Sequence, residues 1–108
     1  MDINKAVTGL EALAHESRLN VFRLLVQAGP NGLAAGEIAE HLGVRQNTMS
    51  SHLQKLSRAG LVAARREGRH IFYAPQFEAL NSLILYLVED CCGRQQAVCK
   101  PLAASMTC

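Results

Sequence analysis

A mainly α-helical domain closed by one β-hairpin is predicted for this 108-residue chain by three features. Apolar residues recur at helical spacing as far as Leu56, in four pieces separated by a polar break at His15-Glu16-Ser17 and by Gly and Pro interruptions at Gly29 to Gly32 and Gly43. Two extended stretches rich in β-branched and aromatic residues then flank Glu67-Gly68. A last apolar stripe follows Pro75. The length suits a single domain with one core.

Each element has its own signal. Val7, Leu10, Leu13 and Ala14 recur at helical spacing and predict a first helix over roughly Ile3 to Ala14. Ser17 can cap a second, in which Leu19, Phe22, Leu24, Leu25 and Val26 are apolar on most sides, as in a central helix. Gly29-Pro30-Asn31-Gly32 is a turn. Ala35 to Leu42 places Ile38, Ala39 and Leu42 on one face, and Gly43 supplies a stop able to take positive φ. Gln46 or Asn47 opens the next helix, which carries Met49, Leu53 and Leu56 inward and ends by Gly60.

Two short helices separated by a tight turn, with small Ala39 where they approach, have helix-turn-helix spacing. On the second of them Arg45, Gln46, Thr48, Ser50, Ser51, His52, Lys55 and Arg58 point outward, and nearly all can hydrogen-bond. Leu61 to Arg66 and Arg69 to Ala74 form the hairpin, whose tip carries Arg65, Arg66, Arg69 and His70. The final helix spans Phe77 to Asp90, with Leu80, Leu83, Ile84, Leu87 and Val88 on one stripe and Leu85 and Tyr86 beside it. One face can cover the core while another meets a second subunit. The architecture expected is a winged helix-turn-helix: residues 1–90 hold the DNA-binding domain, with a face for a second subunit, and residues 91–108 a cysteine-containing tail.

The charge distribution indicates the partner. From Arg45 to Tyr73 six basic residues oppose Glu67 alone, a local balance of +5, so the rest carries −3 of the net +2. Clustered positive charge on a nearly neutral chain suits double-stranded DNA, because neutralising phosphates releases counterions. A major groove admits one helix, so Arg45, Gln46, Thr48, Ser50, Ser51, His52 and Lys55 are candidates for contact with bases or phosphates. Arg65, Arg66 and Arg69 are candidates for the backbone or an adjacent minor groove. A charged content of 19% hints at an oligomer.

The strings Leu13-Ala14, Arg18-Leu19 and Leu24-Leu25, then Ile38-Ala39, Gln46 through Leu56, Gly60-Leu61-Val62 and Arg66-Glu67-Gly68-Arg69 with Tyr73, carry a resemblance. Over about Leu10 to Val88 the chain resembles the ArsR/SmtB family of metalloregulatory repressors. That resemblance implies a winged-helix homodimer with its first and last helices at the interface. It also implies a palindromic operator, released when a metal or metalloid binds.

Sensing sites move about the fold in this family. The arsenic site on the helix before the reading helix needs clustered cysteines, whereas this chain has Gly36-Glu37-Ile38-Ala39-Glu40 there. The zinc site of the last helix needs paired histidine and carboxylate ligands, and residues 76–90 contain no histidine. All four cysteines, Cys91, Cys92, Cys99 and Cys108, fall in the last eighteen residues. Three thiolates at Cys91, Cys92 and Cys99 suit a soft trivalent ion, As(III) or Sb(III), as inducer. Zn, Cd or Hg at the same thiols, or their oxidation as a redox switch, are the alternatives. The arrangement resembles family members whose arsenic site joins a vicinal cysteine pair to a third cysteine just after the last helix. Neighbouring helical residues point about 100° apart, so Cys91 and Cys92 share an ion only if the helix distorts at Gly93. In a continuing helix Cys99 would stand about 10 Å along the axis from Cys92, so the loop 93–98 must fold back. No spacing argument includes Cys108.

Other classes find little support. No Ser/His/Asp arrangement is visible, and the vicinal cysteines lack the arginine of a phosphate-loop nucleophile, with Ala97 and Val98 near that position. No enzymatic activity and no catalytic cofactor are expected. His15 and His41 read as surface or helix-end residues. The most apolar segment, Leu80 to Val88, is too short to span a bilayer, and no signal peptide is evident, so a cytoplasmic protein with reduced thiols and no membrane contact is expected.

Overall fold

The computed structural model of the chain describes residues 1–88. Five helices and three strands follow in the order α1 (Ile3–Leu13), α2 (Glu16–Ala28), β1 (Leu33–Ala34), α3 (Ala35–Leu42), α4 (Gln46–Arg58), β2 (Val62–Glu67), β3 (His70–Pro75) and α5 (Phe77–Val88). The strands form one antiparallel sheet of order β1-β3-β2. This is a winged helix-turn-helix.

The core gathers where α2, α3 and α4 meet the start of β2. Val21, Leu25, Ile38, Met49, Leu53, Leu56 and Leu61 are all but inaccessible to solvent, and no charged or polar residue is buried with them among the described residues. The α4 triad Met49, Leu53 and Leu56 sits on one helical face and is fully buried, as its spacing requires. α3 ends at Gly43 in a left-handed conformation, φ 64°. At its start Glu37 accepts a hydrogen bond from the Ala34 amide at 3.2 Å.

One local expectation is corrected. Ser17 does not cap α2. His15 does, its Nδ1 accepting from the Ser17 amide at 3.1 Å, because His15 is the last extended residue and an unprotonated imidazole nitrogen can serve where a hydroxyl would. α1 stops at Leu13, held by Arg18, which donates from Nε to the Ala12 carbonyl at 2.6 Å and from Nη2 to the Glu11 carbonyl at 3.4 Å. β1 was not anticipated; it pairs Leu33 with Tyr73 and Ala34 with Phe72. Before it, Gly32 adopts φ 78°, and a Cβ there would collide with the Tyr73 carbonyl.

α1 and α5 bury little of their large apolar surface. The buried residues of α1 are Ala6, Gly9 and Ala12, and a Cβ on Gly9 would stand 3.6 Å from Leu83 of α5, so small residues set a close approach. Val7 and Leu10, whose spacing marked the helix, lie on the exposed side with Ile3. In α5 only Leu83 is buried, while Leu85 and Leu87 are 60% and 57% exposed. No helix among the described residues is long and apolar enough to cross a membrane.

Candidate nucleic-acid interface

α4 is anchored by its buried triad, which fixes what its other side presents. With about 100° between neighbours, the residues opposite Met49, Leu53 and Leu56 are Asn47, Ser51, Gln54 and Arg58, and all four are exposed. Ser50, with Oγ donating to the Gln46 carbonyl at 3.0 Å, lies on the flank toward the hairpin. A crevice of about 470 Å³ runs between this flank and the hairpin, lined by Asn47, Ser50, Ser51, Gln54, Ser57, Ala64 and Tyr73. The Ser57 hydroxyl there is buried and has no hydrogen-bond partner among the described residues. Asn47 and Gln54 were absent from the outward set read from the sequence. A helical wheel centred on the buried triad finds both.

The remaining candidates on α4 occupy different places. Thr48 and Lys55 are exposed on the side away from the hairpin. Arg45, just before the helix, makes no capping bond with its side chain; in the first turn the Thr48 amide donates to Asn47 Oδ1 at 2.9 Å. Gln46 leans toward α3, where its amide nitrogen lies near Gly36. His52 is half-buried instead of facing outward: its ring packs on His15, the residue that caps α2, with centroids 4.9 Å apart. Burial first, then the neighbouring His15, Arg18 and Lys55, hold its imidazole below the ordinary value of 6.5.

The hairpin sorts its cations by strand alternation. Arg65 pairs across with Phe72, and Arg66 with Ile71. The Arg65 guanidinium lies 5.4 Å above the Phe72 ring, forms an ion pair with Glu67 at 3.1 Å and donates to the Asn31 carbonyl at 3.2 Å. It is committed within the protein. Arg66, one residue on, faces the side that carries Ala64 and Tyr73, toward the α4 crevice; its bond is to the Gly68 carbonyl at 3.4 Å. Arg69 at the tip makes no hydrogen bond or ion pair among the described residues, and Gly68 beside it takes φ 62°. Arg66 and Arg69 are therefore the hairpin cations free to meet an external anion.

Cys91, Cys92 and Cys99, with Cys108, lie outside the described residues, as does the continuation of the last helix to Asp90. Among the described residues no three His, Cys, Asp or Glu side chains are grouped to hold a metal ion.

A polar helix beside a basic two-stranded wing, both raised on one apolar core, defines a DNA-binding module. Comparison agrees: a family profile for a helix-turn-helix domain matches residues 13–65. The transcriptional activator HlyU of Vibrio cholerae is 35% identical over 92 residues, covering 85% of this chain and 82% of that protein. Its solved structure gives a TM-score of 0.65 at 36% identity, covering 80% of this chain and 94% of that one, and a structure of reduced HlyU is also similar. The homodimeric winged helix-turn-helix DNA-binding domain of a Mycobacterium bovis protein, described as a possible ArsR-family regulator, gives 0.66 at 32% identity, covering 80% and 78%. The AntR antimony-specific transcriptional repressor gives 0.63 at 26% identity, covering 81% and 83%. The chain belongs to the ArsR/SmtB family of helix-turn-helix transcriptional regulators.

Proposed function

We propose that this chain is a homodimeric repressor that reads double-stranded DNA with α4 and is released when As(III) or Sb(III) binds Cys91, Cys92 and Cys99. The observation that carries the DNA reading is the exposed face of α4, where amides and hydroxyls stand beside the free cations of the wing. Asn47 and Gln54 suit adenine, whose N6 and N7 they can engage together, while hydroxyls and Arg66 and Arg69 meet the backbone.

Dimerisation through α1 and α5 is supported by the exposed Ile3, Val7, Leu10, Leu85 and Leu87 and by the homodimeric Mycobacterium bovis domain. A two-fold dimer presents two reading helices and so favours a palindromic operator. Sensing in the tail, and an address in the cytoplasm where thiols stay reduced, are supported by the sequence: both other family sites lack their ligands, and the trivalent thiophilic ions favour three sulfurs. The likeness to an antimony-specific repressor points the same way. An ion there would tether the tail to the end of α5 and bias the interface, with coupling of about 1–3 kcal/mol between ion and DNA.

A second reading, thiol oxidation, is favoured by the likeness to HlyU, an activator for which a reduced structure is described. The two are separated by selecting bound duplexes from a random pool, then titrating the reduced complex with arsenite, antimonite, Zn(II) or peroxide and following DNA anisotropy. Release by arsenite or antimonite that is absent in the Cys91→Ser/Cys92→Ser variant supports the metalloid reading. Release by peroxide alone replaces it.

A further inference from the structure

Away from the wing, on the other flank of α4, a concave site of about 370 Å³ is lined by Thr8, Glu11, Ala12, Arg18, Lys55, Arg58 and Ala59. Three cations face one carboxylate there, and the one ion pair among the described residues, Arg65 with Glu67, involves none of them. Arg18 is fixed by its two bonds to the end of α1, which leave further guanidinium donors unused. Lys55 and Arg58, one turn apart on α4, are exposed. A second hollow of about 470 Å³ shares Thr8, Arg58 and Ala59 and continues along α1 past Asn4 and Lys5 to Met1 and Ala79.

We propose that this groove binds a phosphate group through Arg18, Lys55 and Arg58, with the organic part of a phosphate ester lying along α1 toward Met1 and Ala79. Guanidinium groups match the oxygens of a phosphate in pairs, and the lysine adds a point charge. His52 borders this cluster: burial first, then the charges of His15, Arg18 and Lys55, lower its titration. A bound phosphate would also join α1, which carries the exposed apolar stripe, to the reading helix. The site stands independently of the thiols and of the sensing reading. Two sources supply this chemistry, a free phosphate ester and the backbone of bound DNA.

The test is an NMR titration of the His52 ring in the reduced full chain, with inorganic phosphate, glycerol phosphate and a short duplex added separately, chloride holding ionic strength constant. The expected result is a saturable upward movement of the His52 titration. Phosphate binding should be about tenfold weaker or worse in K55Q/R58Q, a loss of about 1.4 kcal/mol or more. Both substituted side chains are exposed, and an unchanged melting temperature verifies the fold. A response to phosphate and its ester identifies a small-molecule site, and one to duplex alone identifies the backbone. No response to any of the three, or an equal response in K55Q/R58Q, overturns the proposal.

Discussion

The reading half and the pairing half of this molecule solve the burial problem in opposite ways. In α3, α4 and the base of the wing, large side chains are hidden and the surface is polar: Ile38, Met49, Leu53, Leu56 and Leu61 are buried, and Asn47, Ser50, Ser51 and Gln54 face out. In α1 and α5 the order is reversed, with Ala6, Gly9 and Ala12 inside and Ile3, Leu85 and Leu87 outside. The first half is complete within one chain. The second leaves apolar side chains uncovered; in the proposed homodimer a partner would cover them, and that interface is where a ligand would act at low cost.

The contrast is broken most severely by cutting a side chain from each half. Leu53→Ala should lower stability by about 2–5 kcal/mol, read as a fall in midpoint on chemical denaturation. Leu85→Glu/Leu87→Glu should leave the monomer folded by circular dichroism yet abolish dimers in sedimentation. Dimers that survive the double change would place the interface elsewhere. Next in size, Gly32→Ala forces a side chain onto the Tyr73 carbonyl at positive φ, and thermal melting should show a loss of about 1–3 kcal/mol.

Much of this contrast was legible in the sequence, and the parts that were not have definite causes. α3 was read at its observed bounds because apolar spacing and Gly43 mark the same end. The buried side of α1 was hidden because Ala6, Gly9 and Ala12 carry little hydrophobic signal beside Val7 and Leu10. β1 has two residues, too few for any period, and exists through its pairing with β3. Arg65 looked free because its carbonyl partner, Asn31, is 34 residues away in the chain. Asn47 and Gln54, by contrast, were recoverable from the wheel once the inward triad was named.

Smaller effects sharpen the comparison within the wing. Arg66→Gln and Arg69→Gln should each reduce the slope of log affinity against log salt by about 1, whereas Arg65→Gln should leave that slope nearly unchanged and loosen the hairpin instead. Equal slopes for all three would erase the division between committed and free cations. Least of all is the acid dependence. His52 titrates below its ordinary 6.5 in the folded protein, so the unfolded chain binds the extra proton first. Its stabilising contribution is then present above pH 6.5 and is lost as pH falls below that value toward the folded one. His52→Gln should flatten denaturation midpoints across that window, and an unchanged acid slope would remove His52 as the cause.

The central claim joins a DNA reader to a thiol sensor, and one titration tests it: anisotropy of a selected duplex bound to the reduced dimer, with arsenite added to stoichiometry and beyond. The expected result is release at about three thiols per ion, with affinity falling about 5- to 150-fold and no change in the Cys91→Ser/Cys92→Ser variant. Unaltered DNA affinity with arsenite and antimonite, or full release in that variant, would contradict it.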